Sequence, residues 1–387
     1  MNPQDFLDSP SGRLVPTISS QMAFVPNPLP PEIDYSTLAL PLAEAMQALG
    51  ELNGAGRGLA NPALVIRPLQ RKEALLSSSM EGTYTTANAL AIAEASADAE
   101  GSVDDSTMEV RNYLRAFELA DRMRQEIPIS NRLIKQTHAM LSSGVRSERG
   151  AHKRPGEYKD QQNFIGGRNR QIDNARFVPP PPAETEIAMA ALERYINREE
   201  RGNTPAIVDA ALFHYQFETI HPFADGNGRV GRILIPIYLM QENILERPLL
   251  YLSPAVEGRK DDYVDLMLAV SRSGDWTSWI RFFLEMVTNS CRSACRTLSD
   301  LEQLRQDMRN RVTGAGATAR DVMTIDDLFV SPVISIPRLA EKRGVTYPAA
   351  KAAVDRLIAL DILAEVESSS NPKLFICWPV VHLSEGH

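Results

Sequence analysis

The chain of 387 residues has room for two or three domains, since domains usually run to roughly 100 to 200 residues each. Hydrophobic residues at 43% and charged residues at 23% describe a globular protein and exclude a disordered chain or a fibre. A formal net charge of −8 excludes nucleic-acid capture by overall positive charge, although one basic face can sit inside an acidic total.

At the N-terminus, "MNPQDFLDSPSGRLVP" has no basic stretch followed by an apolar run. No window elsewhere supplies about 18 uninterrupted apolar residues, so a cytoplasmic protein without a membrane span is expected. The first 35 or so residues are proline-rich ("VPNPLPPEI") and low in periodicity, which predicts an extended segment. Helical spacing starts at Leu38 and runs to Ala60. Ser77 to Ala99, "SSSMEGTYTTANALAIAEASADA", reads as a helix opened by N-capping serines. Two more helices follow in "DDSTMEVRNYLRAFELADRMRQ" and "ISNRLIKQTHAMLSSG".

The texture then changes. Arg149 to Pro182 is rich in Gly, Pro and Asn with short β-prone pieces, which predicts a long loop holding a small hairpin. Helices resume in "AETEIAMAALERYINREE" and "TPAIVDAALFHYQFETI", and beyond Arg232 in "VGRILIPIYLMQENI", "KDDYVDLMLAVSRSG" and the long "DWTSWIRFFLEMVTNSCRSACRTLSDLEQLRQDMRN". Val312 to Asp321 reads as a linker. The tail then reads helix, tight turn at Gly344, helix and two short strands, the order of a winged helix-turn-helix. Its reading helix, Thr346 to Leu360, carries Lys351 and Arg356 beside Asp355, a thin supply of cations for phosphates. Protein contacts or a homodimer are therefore favoured there over DNA. Cys291, Cys295 and Cys377 fit a reducing compartment and lack the partners of a zinc site. His138, His214, Trp276 and Trp279 read as core residues.

The most informative stretch is "HPFADGNGRVGR", His221 to Arg232. Helical periodicity stops near Ile220, Pro222 disfavours helix at His221, and Gly226 to Gly228 form a tight turn before the next helix. Backbone N–H groups at that helix start make an anion site, and Asn227 offers a neutral side-chain donor. Arg229 and Arg232 lie three apart on one face of the first turns. Cations oppose the dipole there, so two of them imply a polyphosphate. Asp225 suits a Mg²⁺ that draws its other ligands from phosphates and water. His221 is placed to take a proton from a hydroxyl. These residues alone point to a nucleotidyl or phosphoryl transferase.

The same twelve residues resemble the signature of the Fic family, H-x-F-x-D/E-G-N-G-R-x-x-R, filled by His221, Phe223, Asp225, Gly226, Asn227, Gly228, Arg229 and Arg232. The resemblance implies an all-α core and transfer of AMP from ATP to a Ser, Thr or Tyr hydroxyl of a target protein. On it His221 is the general base, Asp225 the Mg²⁺ ligand, and Gly226, Asn227 and Gly228 the hole for the α-phosphate. Arg229 and Arg232 would hold the β- and γ-phosphates, and Phe223 would anchor the loop. Ser77, Glu81 and Gly82 of "SSSMEG" resemble the inhibitory pattern S/T-x-x-x-E-G/N, which also occurs at Ser96 to Gly101 and Ser253 to Gly258. The flanks favour the first copy, with Glu81 pairing with Arg232 and, as in some relatives, also helping water to remove AMP.

"PGEYKDQQNFIGGRNRQIDNARFVPPPP" looks like the family flap that holds a target segment by strand addition, with Asn163, Ile165, Gly166 and Gly167 at its tip. After the signature the chain departs from the family, with Arg259 and Lys260 where Asn-Arg is common and Val264 in place of a second Tyr. The expected organisation is an N-terminal segment over 1–105 with the inhibitory helix at about 77–98. A catalytic core follows over 106–290, with its signature at 221–232 and flap at about 155–178. A helix and linker over 291–320 lead to a winged-helix-like domain over 321–387. The rival activities are phosphoryl or other nucleotidyl transfer on this fold. The rival of another class is a nucleotide-sensing, DNA-binding transcriptional regulator.

Overall fold

The computed structural model describes all residues except 19, 60, 96–102, 146–153, 167–170, 317, 368–371 and 386–387. A 3-10 turn at Pro3–Phe6 leads into strands β1 (Gly12–Pro16) and β2 (Met22–Pro26), then helices α1 (Ala39–Arg57), α2 (Ala63–Ser79), α3 (Ala87–Ala95), α4 (Asp105–Met123) and α5 (Asn131–Leu141). Next come α6 (Pro182–Ile196), α7 (Ala206–Ile220), α8 (Asn227–Gln241), α9 (Ser253–Glu257), α10 (Lys260–Ser273) and the long α11 (Trp276–Gly314). The chain closes with α12 (Ala319–Val330), β3 (Val333–Ser335), α13 (Ile336–Arg343), α14 (Tyr347–Ala359), β4 (Ala364–Glu365), β5 (Leu374–Ile376) and α15 (Trp378–Glu385). The architecture is mainly α, as expected.

Two compact units form from discontinuous pieces, 1–53 with 112–291 and 54–111 with 292–387, and the division falls within α1, α4 and α11. They differ from the four consecutive blocks read along the sequence. In the first unit α7 and α8 are buried along nearly their whole length and pack on each other, because neither has a polar face to turn to water. Helix α6 packs against α7, and α5 against α8.

The N-terminal segment is not merely extended. Antiparallel β1 and β2 form a hairpin, with Leu14 opposite Phe24. Phe6, Phe24, Phe177 and Leu268 close into one apolar cluster. The prolines that obscured these strands sit at their ends, Pro16 and Pro26, where a missing N–H is tolerated.

In the second unit β5 lies between β3 and β4 in an antiparallel sheet. Gly344, at φ 59, turns α13 into α14. Helix, tight turn, helix and two short strands follow in the order read along the sequence, with two additions. Strand β3 precedes the helix pair, and "FICWPVV" stops being strand at Ile376 and becomes α15. Ala87 and Ala91 of α3 share a core with Val333, Ile376 and Val381, while α2 packs against α12 and α15.

Candidate active site

Helix α7 ends at Ile220 because a residue before proline is driven out of the right-handed helical region. His221 takes the left-handed one, φ 48 and ψ 60, which for a residue with a Cβ costs on the order of 1–3 kcal/mol. Its carbonyl accepts from Lys159 Nζ at 2.9 Å and from Asn163 Nδ2 at 3.0 Å. Its ring Nδ1 lies 3.2 Å from the Glu218 carbonyl. A carbonyl only accepts, so Nδ1 carries the proton and Nε2 is the basic atom.

Phe223 is fully buried and stacks on His138, centroids 3.8 Å apart and planes within 7°. Burial of such a ring contributes roughly 2–3 kcal/mol. His138 does more than pack. The Gly156 N–H donates to its Nδ1 at 3.0 Å, so Nε2 holds the proton and donates to the Asp225 carbonyl at 3.1 Å. The core histidine of the sequence reading thus ties α5 to the turn.

The side chain of Asn227 has a different use from the one expected. Its Oδ1 accepts from the Phe223 N–H and its Nδ2 donates to the Phe223 carbonyl, both at 2.8 Å. The amide closes the turn on itself, and what Asn227 can offer an anion is its backbone. Gly226 caps α8 at φ 76, and a Cβ there would also meet Leu141 at 3.3 Å. The N–H groups of Asn227 and Gly228 open α8, where no intrahelical acceptor exists. This is the geometry an anion site requires.

Arg229 and Arg232 are each 5% exposed, an unusual burial for two cations in the first turns of a helix. Arg229 Nη2 lies 3.7 Å from Asp225 Oδ2, on a carboxylate side chain that is 39% exposed. His214 is fully buried beside Tyr263, 2.7 Å away. Burial first, and the Arg232 cation second, push its imidazole down to about 3. A Cβ on Gly231, in an unspecified position of the signature, would meet the Glu218 carboxylate, which would have to shift to admit it. Among the described residues no group of three or more His, Cys, Asp or Glu could cage a metal. A single half-exposed carboxylate beside a helix N-terminus fits Mg²⁺ that takes its remaining ligands from phosphates and water.

The flap is anchored rather than free. Ile165 bridges to Phe177 in both directions, at 2.9 and 3.1 Å, in place of a hairpin of regular strands. The Phe24 N–H reaches Val178 at 2.9 Å, so the N-terminal hairpin continues the flap. Gly166 turns at φ 65 against Arg176. Gly167 lies outside the described residues. Asn163, expected to face a target, instead directs its amide at the turn, donating to the carbonyls of His221 and Phe223 at 3.0 Å each. Lys159, unremarked in the sequence, is buried beneath it. No spacing rule could find these partners, which lie 58 to 62 residues away along the chain.

The "SSSMEG" segment belongs to the second unit. Ser77 to Ser79 close α2 rather than open a helix. The Thr83 N–H bonds the Ser78 carbonyl at 3.0 Å with Gly82 at φ 81, the C-terminal stop that a left-handed glycine provides. Ser77 is buried, Glu81 is exposed just past the helix, and Ser96 to Gly101 fall outside the described residues. Ser253–Glu257 form α9. Buried Arg71 of α2 ties Glu94 of α3 at 2.6 Å and the Val330 carbonyl of α12 at 2.5 Å. On α13 and α14, Lys342 and Arg343 face Asp327, Arg356 faces Asp321, and Lys351 faces Asp355. No described helix is long and apolar enough to cross a membrane.

Comparison with known proteins identifies a family and a fold. Residues 128–239 match the Fic/DOC family and residues 40–122 match the Fic/DOC family N-terminal region, together about half of the chain. Proteins described as "Protein adenylyltransferase Fic" from Drosophila yakuba and Drosophila melanogaster are each 25% identical over 267 residues, 67% of this chain and 48% of theirs. The chain therefore spans about half the length of the curated relatives it matches. A Fic family protein from Desulfovibrio desulfuricans G20 superposes with a TM-score of 0.56 at 18% identity, over 90% of this chain and 98% of that one. A Fic domain containing signaling protein from Bacteroides thetaiotaomicron superposes at 0.53 with 19% identity, over 67% and 97%.

Proposed function

The chain belongs to the Fic/DOC family, and from that premise we propose that it is a protein adenylyltransferase, moving AMP from ATP to a Ser, Thr or Tyr hydroxyl of a target protein. The observation that carries this reading is the complete signature folded as helix, left-handed turn and helix, with a basic histidine nitrogen on one side and open N–H groups on the other.

In this reading His221 Nε2 takes the hydroxyl proton as the oxygen bonds to the α-phosphorus. The bond from that phosphorus to the oxygen bridging to the β-phosphate breaks, and pyrophosphate leaves. The N–H groups that open α8 receive the negative charge growing on the α-phosphate, in a place organised before substrate arrives. Arg229 and Arg232 hold the β- and γ-phosphates, which offsets the disfavoured position of two cations at a helix N-terminus. Asp225 is the residue that would hold Mg²⁺, whose charge helps neutralise the phosphates.

A target strand would add to the flap through Phe164. The Ile165 N–H and carbonyl already serve Phe177 and Arg176, and neighbouring residues of a strand point their backbone groups the other way. We assign the brake to Glu81: its carboxylate would occupy Arg232 and remove the γ-phosphate's partner, and it would help water in a reverse, AMP-removing reaction. The test is incubation with Mg-ATP labelled at the α- or the γ-phosphate. Covalent α-label on protein supports the reading, whereas γ-label alone would make the chain a kinase on this fold.

A further inference from the structure

We propose that Lys159 is a positioning residue for the catalytic histidine, acting with Asn163 as a brace that sets the peptide planes on both sides of His221. The proposal rests on the adenylyl-transfer reading for its kinetic consequence and on geometry alone for its structural one.

Four consecutive carbonyls leave the end of α7, those of Ile220, His221, Pro222 and Phe223, and each accepts a hydrogen bond from Lys159 or Asn163. Lys159 Nζ donates to Ile220 at 3.1 Å and His221 at 2.9 Å, and its backbone N–H donates to Pro222 at 2.9 Å. Asn163 Nδ2 donates to His221 and Phe223, each at 3.0 Å. The two residues are tied to each other, since Lys159 Nζ also donates to Asn163 Oδ1 at 2.8 Å. An ammonium has three N–H groups, and all three have acceptors.

A lysine suits this place because carbonyls at a helix C-terminus lack intrahelical donors and carry the negative end of the dipole. Burial pushes the Lys159 ammonium down to about 7. The three acceptors oppose that push, because only the charged form donates to all of them. Spacer duty alone would not need a charge buried here. What the charge secures is a histidine in a left-handed conformation that its Cβ disfavours. Two donors on the His221 carbonyl fix that peptide plane, hence the Cα–Cβ direction, hence the place of Nε2. Lys159 does its work through the backbone, on the side away from the ring nitrogen that takes the proton.

The experiment uses the full chain with ring-labelled histidine, of which there are only six, and compares wild type with Lys159→Met and Lys159→Arg by ¹⁵N NMR. Wild type should give His221 the shifts of an imidazole protonated at Nδ1. Lys159→Met should average the two tautomers while the other five rings stay as they were, and Lys159→Arg should restore most of the wild-type pattern. In a Glu81→Gly background, Lys159→Met should lower kcat for α-label transfer by about a hundredfold while the KM for ATP moves less than about threefold. Unchanged His221 shifts in a folded Lys159→Met protein would overturn the proposal, and so would an unchanged kcat. Should Lys159→Met fail to fold, Asn163→Ala removes two of the same anchors and is judged by the same shifts. If Glu81→Gly itself transfers no α-label, adenylyl transfer is refuted, and the NMR comparison still judges the brace.

Discussion

The turn after α7 is tied by side chains from distant parts of the chain, whereas the turn after α2 is closed by its own backbone. Around His221 to Asn227 nearly every contact is polar and directional: Lys159, Asn163, His138 and Asn227 each bond named backbone atoms, and Phe223 alone adds a large apolar anchor. Around Ser77 to Gly82 local backbone bonds close the turn, the Gly82 N–H on the Ser79 carbonyl and the Thr83 N–H on the Ser78 carbonyl, while the neighbouring α3 packs through small apolar faces, Ala87 and Ala91 with Val333, Ile376 and Val381, and α2 packs on α12 and α15. Hydrogen bonds fix a direction, which a base and an anion hole need. A turn closed by its own backbone carries no such fixed direction toward a distant site.

If the first unit holds the chemistry and the second the restraint, damage to the two should move activity in opposite directions. The largest effect belongs to His221→Ala, which should lower α-label transfer by roughly 10²–10⁴-fold with ATP affinity kept; a milder loss in a filter-binding assay would take the base away from His221. Next is Phe223→Ala, which should destabilise the protein by about 3–5 kcal/mol and lower transfer, read from denaturant midpoints and the same label. Val381→Ala, in the second unit, should cost about 1–2 kcal/mol yet raise transfer. A fall there would break the comparison.

The smallest effect concerns pH. The His214 imidazole sits at about 3 in the fold, pushed down by burial and then by Arg232, and near 6.5 when unfolded. Between these values the unfolded chain binds the extra proton, so stability is complete above about 6.5 and falls as pH drops toward 3. His214→Gln should flatten the slope of urea midpoint against pH in that window; an unaltered slope would place the acid sensitivity elsewhere.

Much of the site was legible because its information is local. The end of α7 at Ile220, the glycine turn and the start of α8 all follow from residues within a dozen positions, and α14 at Tyr347–Ala359 matched its expected span almost to the residue. Four things were illegible for physical reasons. Ser77 to Ser79 suit a helix start as readily as they fill a final turn, and only the packing of α2 decides that Ala63 to Ser79 is one helix. Asn227 was offered to a phosphate because an amide is a good donor, but a turn needs closing before it can bind, and its nearest backbone partner was Phe223. Lys159 lay in a loop where lysine is ordinary, and the three backbone carbonyls it bonds become visible only in three dimensions. The hairpin β1–β2 escaped because its strands are short and edged by proline.

The most direct measurement is the rate of covalent α-label transfer by wild type, by Glu81→Gly and by Glu81→Gly combined with His221→Ala, at equal Mg-ATP. The account predicts a slow wild type, a rise of about tenfold or more when the carboxylate that competes for the arginine is removed, and loss of that rise when His221 is also changed. Equal rates for wild type and Glu81→Gly, or label that persists without His221, would contradict it.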